Sequence, residues 1–154
     1  MKSWKLHWRS QVSKCWLGSE IEYENLSNKE QESFNSVHLM REMSKWGYLD
    51  STKINGDKHG ADLLFYRAQD ADVKKIQLKG RATFDKKYEG KNLYVAFQDK
   101  RKNEWYVYPH DVIVNQAIHT SSWALSKSWK EEGGYSWNNI PAWLEDILKP
   151  WKIT

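Results

Sequence analysis

Asp62, Gln77, Lys79 and Arg81 are the residues whose types and spacing point to chemistry. Asp62 opens an apolar run, Leu63-Leu64-Phe65-Tyr66, and the other three alternate along a second run, 73–81. The polar stretch 67–72 between the runs suits a hairpin loop. With the loop centred between Gln69 and Asp70, Leu63 faces Ile76, Phe65 faces Lys74 and Asp62 faces Gln77. Opposed residues of an antiparallel pair point to the same side of the sheet, and side chains alternate along each strand. Asp62, Gln77, Lys79 and Arg81 therefore share one face. Leu63, Phe65, Ile76 and Leu78 take the other, as core. A slip of one residue would scatter the cluster.

Such a face offers two hard oxygen ligands, the Asp62 carboxylate and the Gln77 carbonyl. Mg²⁺ takes one or two protein carboxylates and fills its shell with water and phosphate oxygens. There it polarises a phosphoryl oxygen and acidifies a bound water. Lys79 is placed to orient that water or offset transition-state charge, and Arg81 to hold a neighbouring phosphate. The solvated face of any antiparallel hairpin also carries Asp, Gln, Lys and Arg. The run 63–66 argues against that here, because continuous apolar residues predict a strand covered on both faces.

The arrangement resembles the PD-(D/E)XK nuclease superfamily. Its signature is an Asp opening one strand and a (D/E/Q)-x-K tripeptide on the next. Asp62, in Gly60-Ala61-Asp62, matches the first, and Gln77-Leu78-Lys79 matches the second in its Gln form. The resemblance covers residues 28–117. It implies an α/β fold: a single domain, a central mixed β-sheet flanked by helices, with the restriction-endonuclease-like core αβββαβ. It implies a metal-dependent DNA endonuclease of restriction or homing type. Mg²⁺ (or Mn²⁺) would sit on Asp62 and Gln77, and Lys79 would assist the attacking water. The family often adds a Glu from an upstream helix; Glu32 is the first choice for that third ligand and Glu30 the second. Two alternatives use the same fold. One is a structure-selective nuclease acting at junctions or mismatches. The other is a nucleic-acid-binding module without chemistry, which the neutral Gln77 keeps open.

The surrounding elements must position this cluster. Ser27 or Asn28 caps a helix to about Trp46, with Glu30 completing a capping box and Gly47 as C-cap. Phe34, Val37, Met40 and Met43, flanked by Leu39 and Trp46, form its expected buried stripe. Glu20, Glu22 and Glu24 alternate with Ile21 and Tyr23 as a solvated strand edge. Residues 48–53 predict a first strand. Residues 82–92 read as a polar loop whose Lys86, Lys87 and Lys91, with Arg81, track a DNA backbone. Strands follow at 93–97 and 105–108, then a helix capped by Asp111 to about Ala117. His110, Asn115 and His119 superficially suggest a His-Asn-His nuclease, but without the hairpin and tight His pairing such a site needs.

The chain has 154 residues, 40% of them hydrophobic, enough for one domain with a core. A net charge of +4 suits a polyanionic partner such as DNA. Its one cysteine, Cys15, excludes an intrachain disulfide and a multi-cysteine zinc site, which fits a cytoplasmic protein. No apolar stretch has the length of a membrane span, and Met1-Lys2-Ser3-Trp4 lacks the apolar core of a signal peptide. Ten tryptophans stand out; most are expected to bury area. Lys2, Lys5, Arg9 and Lys14 make the N-terminal arm a candidate backbone contact. Residues 1–154 form the single domain, with an aromatic-rich C-terminal extension, 121–154. In it, Asn139 and Pro141 open a helix striped by Trp143, Leu144, Ile147 and Leu148. That stripe packs on the same core or serves a homodimer, which would match a palindromic duplex.

Overall fold

The hairpin forms in the register read from the sequence. The computed structural model describes residues 18–51 and 61–154. In it β2 (Leu63–Arg67) runs antiparallel to β3 (Asp72–Leu78), with Leu63 opposite Ile76 and Phe65 opposite Lys74. Asp70 holds the turn. Its carboxylate accepts from Arg67 Nε and Nη2 at 2.9 and 2.7 Å. The turn closes through Ala71 at φ 57°, a left-handed conformation uncommon outside glycine.

Around this hairpin a mixed sheet is built in the order β1-β2-β3-β5-β6. β1 (Leu49–Asp50) is antiparallel to β2, β5 (Tyr94–Asp99) is parallel to β3, and β6 (Glu104–Pro109) is antiparallel to β5. A parallel neighbour needs a crossover. Here the crossover carries β4 (Thr83–Asp85) and one 3₁₀ turn, Lys86–Tyr88, where a polar loop was expected. β4 pairs with β7 (Gly134–Ser136), far along the chain, so Phe84 and Tyr88 are buried.

Two compact units are distinguished, Met1–Asn35 and Ser36–Thr154, and their boundary falls inside α1 (Asn28–Ser44). In the first, Tyr23–Asn25 is a 3₁₀ turn and not the expected strand edge. Asn35 Nδ2 donates to the Tyr23 hydroxyl at 2.9 Å, and Gln31 Nε2 to the Tyr23 carbonyl at 3.1 Å.

The second unit is an α/β domain with a core on each face of the sheet. On one face Leu63, Phe65, Ile76, Ala96 and Trp105 meet Leu39 and Met43 of α1. The buried stripe of α1 is thus Leu39, Glu42 and Met43, one position round the helix from the expected one. Phe34 and Val37 are 51% and 63% exposed. On the other face Val95, Phe97, Tyr106 and Tyr108 meet α2 (His110–Ala117), α3 (Ala142–Leu148) and an aromatic cluster around Phe84 and Trp123. This second layer covers β5 and β6 more than β2. Leu64 is therefore only half-buried and Tyr66 is 38% exposed, which corrects the expectation of a strand covered on both faces.

The C-terminal residues are part of this core. Leu144 and Leu148 are fully buried, and Trp123 and Trp129 nearly so. The chain end is pinned to β6, where Ile153 N donates to the Trp105 carbonyl at 2.9 Å and Trp105 N to Thr154 Oγ1 at 2.9 Å. Among the described residues no helix is long and apolar enough to cross a membrane.

Candidate active site

Asp62 stands one residue before β2, where the register sets it against Gln77. Its Oδ2 accepts from Leu78 N at 2.9 Å and from Gln77 Nε2 in a closer contact. Lys79 N donates to the Ala96 carbonyl at 2.8 Å, so the chain holds to β5 one residue past β3. Alternation then puts Lys79 on the face of Gln77. The Lys79 Nζ lies 5.5 Å from the centroid of the Tyr88 ring. Tyr88, only 3% exposed, also has Lys87 Nζ 5.1 Å from its ring. Two ammonium groups thus use one buried aromatic ring, each favoured by the ring quadrupole.

Arg81, Lys86 and Lys87 each have a side-chain partner. Lys87 Nζ pairs with Asp85 at 2.9 Å, and that hydrogen bond raises its pKa above the ordinary lysine value. Asp85 also accepts Lys87 N at 3.0 Å, capping the 3₁₀ turn. Lys86 Nζ lies 5.1 Å over the Trp129 ring. The Lys91 carbonyl accepts from Lys75 Nζ at 2.6 Å. Arg81 Nη1 donates to Asn138 Oδ1, a partner 57 residues away that no local pattern marks.

Glu30 and Glu32 belong to the first unit. Glu30 is committed to the capping box, with Ser27 N and Oγ donating to Oε2 at 2.8 and 2.6 Å. The Ser27 hydroxyl, then its N–H, hold this carboxyl below the usual range. Glu32 is exposed on α1. Among the described residues no three His, Cys, Asp or Glu side chains converge as a metal cage. Asp62 and Gln77 bring together one carboxylate and one amide, and an ion held by so few protein oxygens would keep most of its shell in water and phosphate oxygens. The Gln77 amide turns its NH₂ to Asp62; a half-turn of that amide would bring its oxygen alongside the carboxylate.

The histidine pattern resolves into structure. His110 is fully buried, its Nδ1 2.9 Å from Asp111 Oδ1, and its Nε2 accepts from Asp85 N at 3.1 Å. It ties α2 to β4, while His119 and Asn115 are exposed. His59 and the basic N-terminal arm lie outside the described residues.

The residues that sequence reading missed are Tyr88, Trp137 and Asn138. The first sits in a stretch dominated by lysines, and the other two reach the site only through the β4–β7 pairing. No protein-family model, curated protein or solved structure matches the chain.

Proposed function

We propose that this chain is a metal-dependent DNA endonuclease of the PD-(D/E)XK kind. The observation that carries the reading is the Asp62–Gln77 contact, with Lys79 next on the same face and Arg81 beyond it. The topology supports it. Among the described residues three antiparallel strands, β1 to β3, precede β5, which is parallel to β3, as in the αβββαβ order. The departure is the crossover, which has β4 and a 3₁₀ turn in place of a helix.

Asp62 and Gln77 would hold Mg²⁺ or Mn²⁺. The ion would supply Lewis-acid polarisation of the phosphoryl oxygen. Lys79 orients a water in line with the scissile bond and offsets charge on the phosphoryl oxygens. A bond forms from the water oxygen to phosphorus as that water gives a proton to solvent, and the bond to the leaving sugar oxygen breaks as that oxygen takes a proton from solvent. Arg81, steadied by Asn138, holds an adjacent phosphate, and Lys86, Lys87 and Lys91 continue the basic track. Two copies acting as a homodimer would cut both strands.

The test is cleavage of supercoiled plasmid and of junction or mismatch duplexes with Mg²⁺ or Mn²⁺. Wild type is compared with Asp62→Ala and Lys79→Ala. Cleavage that falls by at least about a hundredfold in both variants is expected. Variants that cut like wild type would refute the site. A second reading, a DNA-binding module without chemistry, is favoured by one observation: Gln77 gives Asp62 a donor and supplies no second carboxylate. Tight binding in EDTA with no cleavage of any substrate selects it.

A further inference from the structure

A cavity of about 120 Å³ opens beside the end of β3, where Gly80 and Arg81 follow Lys79. It is assembled from three separate segments: the residues after β3, the end of β5 with its turn, and the residues after β7. Its aromatic walls are Phe97, fully packed, and Trp137. Trp137 is held in place by its neighbours. Its ring centroid lies 4.7 Å from Tyr135, 4.9 Å from Phe84, and 5.8 Å from both Trp123 and Trp143. A wall fixed in advance gives up little entropy when a flat ligand stacks on it.

The polar groups of the cavity are also oriented. Asn138 Oδ1 is engaged by Arg81, which leaves its Nδ2 to donate. Asp99, which shares the Phe97 side of β5 by alternation, is paired with Arg101 Nη2 at 3.3 Å, and Lys100 and Arg101 also line the cavity. Arg81 adds a guanidinium for a phosphate. A rigid aromatic wall, an amide donor and a net-positive rim form a set that takes a stacked base and its phosphate.

We infer that the cavity is a subsite for one unpaired nucleotide, its base stacked on Trp137, on the strand that passes Lys79 and Arg81. The placement of that strand rests on the nuclease reading. A base paired inside a duplex cannot enter, and extruding one is least costly where it is already unpaired. The subsite therefore selects strands with a bulged or mismatched base over matched duplex.

The experiment is fluorescence anisotropy of the full chain in EDTA, with labelled duplexes that are matched or carry one unpaired thymine. Free thymidine monophosphate is the competitor. The unpaired-thymine duplex is expected to bind roughly tenfold tighter than matched duplex. Arg81→Gln and Asn138→Ala change exposed side chains and are expected to bring it within about twofold of matched, given that stacking and its support set the difference. Equal binding of matched and unpaired duplexes overturns the inference, as does discrimination that survives both substitutions. Binding of the free monophosphate without strand discrimination also overturns it, since the ligand is then a free nucleotide. Cleavage with Mg²⁺ is read separately. Selective binding without cleavage keeps the subsite and removes the nuclease. Cleavage without selective binding does the reverse.

Discussion

Gln77→Glu inverts one contact at the centre of the site without changing its size. Gln77 Nε2 donates to Asp62 Oδ2, the oxygen that also receives Leu78 N at 2.9 Å. An ionised Glu has no proton to give. A hydrogen bond to a charged group, about 1.5 kcal/mol, is lost. Two like charges in contact replace it, repelling by about 1 kcal/mol at about 4 Å in a water-like dielectric and about 4 kcal/mol at an effective dielectric of about 20. Asp62 is exposed, so the lower figure applies. The variant should lose about 2–3 kcal/mol in EDTA, which lowers a urea midpoint by about 1 M for an m-value of about 2 kcal/mol per M. Mg²⁺ should reverse the order, because two carboxylates hold it better than a carboxylate and an amide. The assay is urea unfolding followed by tryptophan fluorescence, with EDTA and with Mg²⁺. A midpoint unchanged in EDTA would show that Asp62 and Gln77 are not in contact. A loss that Mg²⁺ leaves unrepaired would show that the pair is not a metal site.

Other outcomes follow from the core on the same face of the sheet. Burial pushes the phenol of Tyr108 well above its usual pKa; the hydroxyl donates to the Thr83 carbonyl at 2.8 Å. Because the folded pKa is raised, this contribution is complete below the unfolded value near 10 and is lost as pH climbs through and past it. Urea midpoints should hold to about pH 9 and then fall, less steeply in Tyr108→Phe, and an identical slope in the variant refutes the assignment. His110→Phe leaves the Asp85 N–H without its acceptor and should cost about 1–3 kcal/mol, measured by thermal unfolding. Cleavage per folded molecule should be unchanged, whereas abolished cleavage with normal stability would revive a histidine-centred site. Phe84→Ala removes a ring packed edge-on against Tyr108, His110, Trp123 and Trp137. It should cost about 3–5 kcal/mol, and a loss under about 1 kcal/mol would mean that β4 is not part of the core.

The hairpin was legible because its information is local. Turn length and the alternation of 73–81 fix a register, and the register alone brings Asp62 to Gln77. The capping box of α1 was legible for the same reason, since Ser27 and Glu30 are three residues apart. The stripe of α1 was not. Phe34, Val37, Met40 and Met43 make one plausible face and Leu39 and Met43 another, and only the sheet beneath decides which is buried.

The sequence by itself therefore determined the α/β class, the hairpin and the side-by-side placement of Asp62 and Gln77, whereas the strand expected over 73–81 ends at Leu78 and leaves Arg81 in the bend beyond it. Tertiary structure decided the walls beside that hairpin. Thr83-Phe84-Asp85 holds a single apolar residue and nothing that names its partner, yet pairing with β7 makes it a strand. That pairing carries Trp137 and Asn138 to the end of β3, turning a polar hairpin end into a lined cavity. Such contacts depend on which distant segments close on one another, and the closure is settled by the summed burial of an aromatic core rather than by any short stretch of chain.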